Sequence, residues 1–357
     1  MKLRNLKIKN FRSVEYADIE IHNYTMLVGA NNAGKSNIMA ALRAFYEDIS
    51  WMAKDDNPKF NDTNIDNDDF ESWVELHFEL SDDEWVNLAE LHKDQKLPNT
   101  LVVRRYFVHK DRVKKSQSNI YSVVDGVVNE TLFYGAKNIG TAKLGSIIYI
   151  PALISANDQI KTSGASPLRD MLNLMLKKVI NSSPTYQQIT ESFFKFDKEA
   201  SNENGFLNKI VQPINKAISN WGIKFNMSIR TISPEDVTKN LIELAFTDTM
   251  LGDNRLSLDK YGDGFQRSFL YELIKLAPEI TNENKLVLKD NEFNPDFTLI
   301  LFEEPEAFLH PAQQENMAYH LRRLSQGNNQ QIIITSHSSI FTSKATDDLC
   351  QIIRVHR

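Results

Sequence analysis

Between Tyr24 and Tyr46 the sequence YTMLVGANNAGKSNIMAALRAFY changes from the alternating period of a strand to the period of a helix. The change is made across a loop bracketed by Gly29 and Gly34 and followed at once by Lys35 and Ser36. Ile38, Ala41, Leu42 and Phe45 then recur at the three- and four-residue spacing of one buried helix face. A strand, a tight loop and a helix in that order commit this region to an α/β arrangement.

The loop fits G-x-x-x-x-G-K-[ST] at every fixed position. Its glycines let backbone N–H groups converge on phosphate oxygens, Lys35 reaches toward the β and γ phosphates, and the Ser36 hydroxyl suits Mg²⁺. Gly29, Asn31, Asn32, Gly34, Lys35, Ser36 and Asn37 are therefore the predicted nucleotide cradle. The following helix adds positive potential from its N-terminus. Hydrolysis needs more, namely a carboxylate for the metal and a group that places the attacking water.

TLILFEEPEAFLHP, residues 298 to 311, supplies both candidates. A buried apolar strand delivers Glu303 and Glu304 side by side at its carboxyl end, and alternation sends them to different targets. Glu303 is assigned to Mg²⁺, through its water shell, and Glu304 to general base or water polarisation. QQIIITSHS then places Thr335, Ser336 and His337 at the end of another buried strand, where a side chain can reach a γ-phosphate.

The rest of the chain supports a large α/β core. Its 357 residues exceed the roughly 100 to 200 of one domain, so insertions or two domains are expected. WVELHFEL, LVVRRYFV and IYSVVDGVV read as antiparallel strands. LRNLKIK and DIEIHNYTMLVG read as two strands before the loop, SIIYIPAL as a buried strand and CQIIRVHR as a last one. Residues 1–165 form a first lobe, 166–221 a helical insertion with apolar residues three and four apart, and 222–357 a second lobe. The single cysteine, Cys350, excludes an internal disulfide and fits a reducing compartment. The N-terminus lacks the apolar run of a signal peptide, and no stretch approaches the roughly 18 apolar residues of a membrane span, so a cytoplasmic protein is expected.

Taken in order, the phosphate loop, a glycine turn at YGDGFQRS, FEEPE with LHP, and TSHS resemble the ATP-binding-cassette ATPase heads of the SMC, RecF and OLD group. The OLD (overcoming lysogenization defect) family of ATP-dependent endonucleases, with its EEPE-x-x-LHP and TSHS motifs, resembles this chain from end to end. The resemblance implies a head with a mixed, largely parallel core sheet, an antiparallel β layer and a helical insertion. It implies ATP and Mg²⁺ as cofactors and two heads joined head to tail around two ATP molecules. Gly262, Gly264 and Gln266 match the element that meets the partner's nucleotide, Leu309, His310 and Pro311 the segment at the dimer interface. KIKNFRSVE is similar to the opening of such heads, where the arginine matching Arg12 lies near the nucleotide. Gln159 is the candidate for the glutamine that couples the lobes and approaches the metal. The turn YGDGFQRS is not the LSGGQ of transporters, and Glu303 stands where most cassettes carry aspartate.

OLD proteins continue into a Toprim nuclease domain, and this chain stops about where that domain would begin. Asp66-Asn67-Asp68 spells its DxD, yet sits in a polar loop rather than after a buried strand, and as a calcium loop the segment fails at Asn67 and Trp73. No nuclease activity is expected of the chain alone, so a nuclease acts in cis or in trans. The net charge of −6 argues against nucleic-acid binding over the whole surface. The densest basic run, Arg104, Arg105, Lys110, Arg112, Lys114 and Lys115, reads either as a solvated hairpin or as a DNA-contacting edge. The helical block reads as a dimerisation element, a relic of a coiled-coil arm, or a cover for the core. Three functions follow: an ATPase module of an OLD-like DNA-processing or phage-defence system, a RecF- or SMC-like repair clamp, and a transporter subunit. The last is disfavoured by the roughly 270 residues between Ser36 and Glu303.

Overall fold

The structure is a computed structural model. It describes residues 1–59, 70–135, 139, 143–152, 171–172, 175–176, 179–180, 183–202, 204–229, 293, 295–307, 309–327, 329–343 and 351–356, with short pieces between 232 and 276. One compact unit comprises Met1–Gln159, Arg267–Pro278 and Leu288–Arg357. A second comprises Ile160–Gln266 and Glu279–Val287, which takes in the helical block and extends beyond it.

The first unit contains two sheets. Strands β1 (Lys2–Phe11), β2 (Val14–Glu20), β4 (Ser72–Glu79), β5 (Thr100–Val108), β6 (Ile120–Val124) and β7 (Val127–Leu132) form the antiparallel sheet. Its order is β2-β1-β4-β5-β6-β7. Strands β3 (Tyr24–Val28), β8 (Ser146–Ile150), β11 (Thr298–Glu303), β12 (Gln330–Thr335) and β13 (Gln351–Arg354) form an all-parallel sheet in the order β13-β3-β12-β11-β8. In β1, Leu6 and Ile8 are fully buried while Lys7 and Lys9 are half-buried on the other face, as an antiparallel sheet with one wet face requires. β12 is buried along its whole length, the signature of a parallel strand covered on both faces.

One core joins these layers. Leu6, Ile8, Val74 and Leu76 of the antiparallel sheet share it with Ile38, Met39, Leu42 and Phe45 of helix α1 (Lys35–Phe45), and with Leu27, Leu299, Leu301 and Ile333 of the parallel sheet. Each such side chain contributes roughly 1.5 to 3 kcal/mol on burial. The helix that begins at the phosphate loop is thus anchored by its apolar face. Gln331, buried near the start of β12, ties the sheets by hydrogen bonds. Its Oε1 accepts the Leu3 N–H at 2.5 Å, and its Nε2 donates to Leu3 O at 2.9 Å and to His22 O at 3.1 Å.

The stretch before the loop holds three strands, not the two expected. β2 ends where Ile21 N–H bonds Arg4 O, and β3 starts after a turn in which Thr25 Oγ1 accepts His22 N–H at 2.9 Å. The alternation runs through this crossing because Ile19, Ile21 and Leu27 all face the same core, so the sequence carries no mark of the change of sheet. The short helices α2 (Ala53–Asp56) and α3 (Asp82–Asn87) lie in connections. Asp66 to Asp68 lie outside the described residues.

In the second unit, Pro184–Ser201 (α4) begins with Ser183 as a side-chain cap and Pro184 at the first helical position. Phe206–Ile218 (α5) buries Leu207 and leaves Phe206, Ile210 and Ile214 exposed. β9 (Phe246–Asp248) pairs antiparallel with β10 (Asn254–Leu256). Two helices follow in the first unit, α6 (Pro311–Ser325) and α7 (Ser339–Ser343). Among the described residues no helix is long and apolar enough to cross a membrane.

Replacing Gln331 with Leu would strand the Leu3 N–H and C=O in the core, at about 1 to 3 kcal/mol for each one left unsatisfied. A loss of unfolding free energy of at least the lower figure, read from the midpoint and slope of urea unfolding, is expected. Buried His92, with Nδ1 2.7 Å from Ser122 Oγ and its ring against Phe133, has its pKa pushed down by burial to about 4. The folded state then binds fewer protons than the unfolded chain between pH 4 and about 6.5, so His92 contributes stability above that window that is lost as pH falls through it. Urea midpoints measured from pH 7 to 4.5 should fall less steeply in His92→Gln than in the wild type.

Candidate nucleotide-binding site

β3 is buried from Tyr24 to Leu27 and paired on both sides, which gives the phosphate loop a fixed root. Gly29 has no room for a side chain, since a Cβ there would lie 2.5 Å from Val355 O, and Val355 N–H donates to Val28 O at 2.7 Å. Gly34 caps α1 at φ 109°, a left-handed conformation that favours glycine, and Asn32 adopts φ 63°, which asparagine tolerates. The buried Lys35 folds back across the loop, its Nζ donating to Gly29 O at 2.8 Å and Ala30 O at 3.0 Å. These carbonyls hold the ammonium where phosphate oxygens would compete for it. Asn31, Asn32 and Ser36 are exposed, and Asn37 Nδ2 donates to Ser13 Oγ at 2.7 Å.

That last bond sets the β1–β2 hairpin beside the loop. Arg12, at its tip with φ 50°, donates through Nε to Asp56 Oδ1 at 2.7 Å, and its N–H donates to Asp56 O at 2.6 Å. Asp56 is buried and also accepts Met52 N–H at 2.8 Å, so Arg12 is held rather than free.

The acidic residues stand across one strand from the loop. Thr335 at the end of β12 pairs with Leu27 of β3 on one side and with Glu303 of β11 on the other. Parallel register brings the three strand ends level, and two strand spacings separate the loop root from Glu303, roughly 10 Å. Glu304 departs from the strand at φ 44°, a conformation uncommon outside glycine, with its N–H on Thr335 O at 2.9 Å and Oγ1 at 3.2 Å. The Glu304 carboxylate then lies 3.8 Å from His337 Nε2, both side chains 40% exposed.

Three neighbours of these carboxylates were given no role by the sequence patterns. Tyr149 of β8 donates its hydroxyl to Glu303 Oε2 at 2.9 Å, and the Arg43 guanidinium of α1 lies over its ring at 3.6 Å. Burial first, then the Glu303 charge, pushes the Tyr149 phenol above its usual range, so it remains a donor. Glu306 directs one oxygen, Oε1, at the histidine turn, accepting Ser336 Oγ at 2.9 Å, His337 N–H at 2.6 Å and Ser338 N–H at 3.2 Å. Glu306 stands inside the FEEPE motif, where only cross-strand geometry distinguishes it from a surface acid. Gln159, Gly262, Gly264 and Gln266 lie outside the described residues.

The arginines of the basic run are engaged within the fold. Arg104 pairs with Glu75 and lies over the Trp73 ring. Arg105 donates to Ala44 O and Phe45 O, capping the C-terminal carbonyls of α1 with a cation. Arg112 donates to Asn129 O and Val128 O. Lys110, Lys114 and Lys115 are exposed.

Comparison with known proteins follows the same lines. The family model for the AAA ATPase domain matches residues 1–138 and 151–342. The Old nuclease of Escherichia phage P2 is 24% identical over 99% of this chain and 59% of its own length. Endonuclease GajA of Bacillus cereus (strain VD045) is 23% identical over 100% of this chain and 58% of its own length. The chain therefore spans less than two thirds of these relatives. Among solved structures, the SMC head bound to the C-winged helix domain of ScpA has a TM-score of 0.50 at 16% identity, covering 100% of this chain and 94% of the other. An Smc head domain with an extended coiled coil, bound to the C-terminal domain of ScpA derived from Pyrococcus furiosus, has a TM-score of 0.51 at 14% identity, covering 99% and 93%. The α/β fold is that of an SMC-like ATPase head.

Gly29→Ala would press a methyl group into the Val355 carbonyl, an overpacking cost of about 1 to 3 kcal/mol. If the loop must move to relieve it, nucleotide affinity should fall roughly tenfold or more in a titration with a fluorescent ATP analogue.

Proposed function

The chain belongs to the AAA ATPase domain family, and from that premise we propose that it is the ATP-hydrolysing head of an OLD-like DNA-processing or phage-defence nuclease system. The observation that carries the reading is the level alignment of Leu27, Thr335 and Glu303, which sets a complete phosphate loop and an acidic strand end on either side of β12. In this reading the loop N–H groups and the N-terminus of α1 bind the phosphates, and Lys35 leaves its two carbonyls for the β and γ oxygens. Glu304 accepts the proton of the attacking water, and His337 holds the γ-phosphate end of the nucleotide opposite it.

The donor set suits Mg²⁺. The described residues hold no cluster of three or more His, Cys, Asp or Glu able to cage a metal, whereas Mg²⁺ keeps several waters and takes one or two protein oxygens beside nucleotide phosphates. Ser36 and Glu303 would hold it, Glu303 through water and oriented by Tyr149. When bound, Mg²⁺ neutralises charge on the β and γ phosphates. Gln159 is proposed as a further contact near the metal.

Two heads are proposed to close head to tail on two ATP molecules, with Gly262, Gly264 and Gln266 of each meeting the nucleotide of the other. The exposed apolar side chains of α5 favour the helical insertion, residues 166–221, as a dimerisation element. The relatives named as nucleases favour control of a Toprim nuclease, in cis or in trans, by ATP in the cytoplasm, with no nuclease site supplied by these residues. DNA contact would fall to Lys110, Lys114 and Lys115 rather than to the bonded arginines. A RecF- or SMC-like clamp without a nuclease is the second reading, favoured by the likeness to SMC heads.

Mg-ATP turnover should be measured for the wild type and Glu304→Gln, with and without duplex DNA, over a range of protein concentration. Turnover per chain that rises with concentration and drops by on the order of 100-fold or more in the variant is expected. Turnover that is equal in both proteins would remove Glu304 from its role, and independence from concentration would remove the paired heads.

A further inference from the structure

FEEPE and TSHS lie on separate strands, and one side chain joins their turns. Glu306 sends Oε1 to three donors on consecutive residues, Ser336 Oγ, His337 N–H and Ser338 N–H, at 2.9, 2.6 and 3.2 Å. These are charge-assisted bonds, stronger than those between neutral groups. A second link runs between the same turns, from Glu304 N–H to Thr335 O and Oγ1. The histidine turn is also tied forward. Ser338 Oγ donates to Gln314 Oε1 at 2.8 Å, and Gln314 Nε2 donates to Leu309 O at 3.0 Å.

The consequence concerns His337. Its side chain has a single described partner, Glu304 at 3.8 Å, and is 40% exposed, so little around the ring itself fixes its direction. The backbone must do so, and the backbone N–H of His337 makes the shortest of the three bonds to Glu306. We propose that Glu306 is a positioning residue, a carboxylate anchor that sets the histidine turn against the acidic turn so that His337 and Glu304 face one reacting centre. The inference rests on the ATPase reading given above. Through Ser338, Gln314 and Leu309 the same anchor makes the two turns and the start of α6 one piece, so that displacement of His337 is passed to Leu309.

Reach separates this role from simple negative charge. Glu306→Gln keeps an oxygen able to accept all three donors. Glu306→Asp keeps the charge and loses a methylene of reach, and Glu306→Ala loses both. Each is made in the full chain, alone and with His337→Ala, after thermal unfolding shows that it folds. Nucleotide binding through the phosphate loop should be unchanged in all three. Turnover should drop by on the order of 100-fold in the Ala and Asp variants, as for a small misplacement of a reacting group, with Glu306→Gln restoring most of it. In the His337→Ala background the Ala and Asp changes should cost almost nothing further, because the residue acts through the one already removed.

Hydrogen exchange of the peptide spanning residues 335–340, followed without nucleotide, should quicken in the Ala and Asp variants and not in Gln. Equal losses in both backgrounds, unaltered turnover in Glu306→Ala, or unaltered exchange would overturn the proposal. A wild-type chain without turnover overturns the ATPase reading instead, and exchange alone then decides whether Glu306 anchors the turn.

Discussion

Parallel pairing of β12 with β3 on one side and β11 on the other is the constraint from which the site follows. The register is set by backbone bonds along strands that are buried over nearly all of their paired length. With the register fixed, Leu27, Thr335 and Glu303 end at one height. The loop, the acidic turn and the histidine turn then leave the sheet on the same edge, where open α/β sheets bind ligands. Gln331 extends the constraint to the antiparallel layer, because β12 cannot shift without breaking its bonds to Leu3 and His22.

Much of this was legible in the sequence because it depends on short-range rules. The loop spacing from Gly29 to Ser36, the apolar period of α1 and the buried run of TLILF each specify an element without help from distant residues. What could not be read depends on which strands lie side by side. Tyr149 sits in a strand that reads as plain apolar filling, and only the pairing of β8 with β11 puts its hydroxyl on Glu303. Glu306 was visible as a letter in a motif, but its hydrogen-bond partners lie thirty residues further on and are brought to it by the pairing of β11 with β12. The hidden third strand has the same cause. Alternation reports which side faces the core, and here two sheets share one core.

The basic run teaches a related lesson about charge. Counting cations along residues 104 to 115 suggests a surface for polyanions, yet each arginine answers an internal need. Arg104 offsets the buried Glu75 carboxylate, Arg105 satisfies carbonyls at the end of α1, and Arg112 bonds the Val128 and Asn129 carbonyls of β7. A guanidinium suits such work because its fixed fork meets two acceptors at once. The lysines nearby are left in water, where an ammonium keeps its strong hydration.

The packing of Val355 against Gly29 also bears on how the molecule comes to be. The phosphate loop is encoded early, yet its floor is made by β12 and β13, and Gln331 reaches Leu3 across a sequence separation of 328 residues. Pairings this remote carry a large loop-closure entropy and form slowly. During synthesis the antiparallel strands from β1 to β7 can assemble while β3 and its loop still lack both neighbours. The nucleotide pocket is therefore among the last parts of the fold to be completed, since both neighbours of β3 are encoded near the far end of the chain.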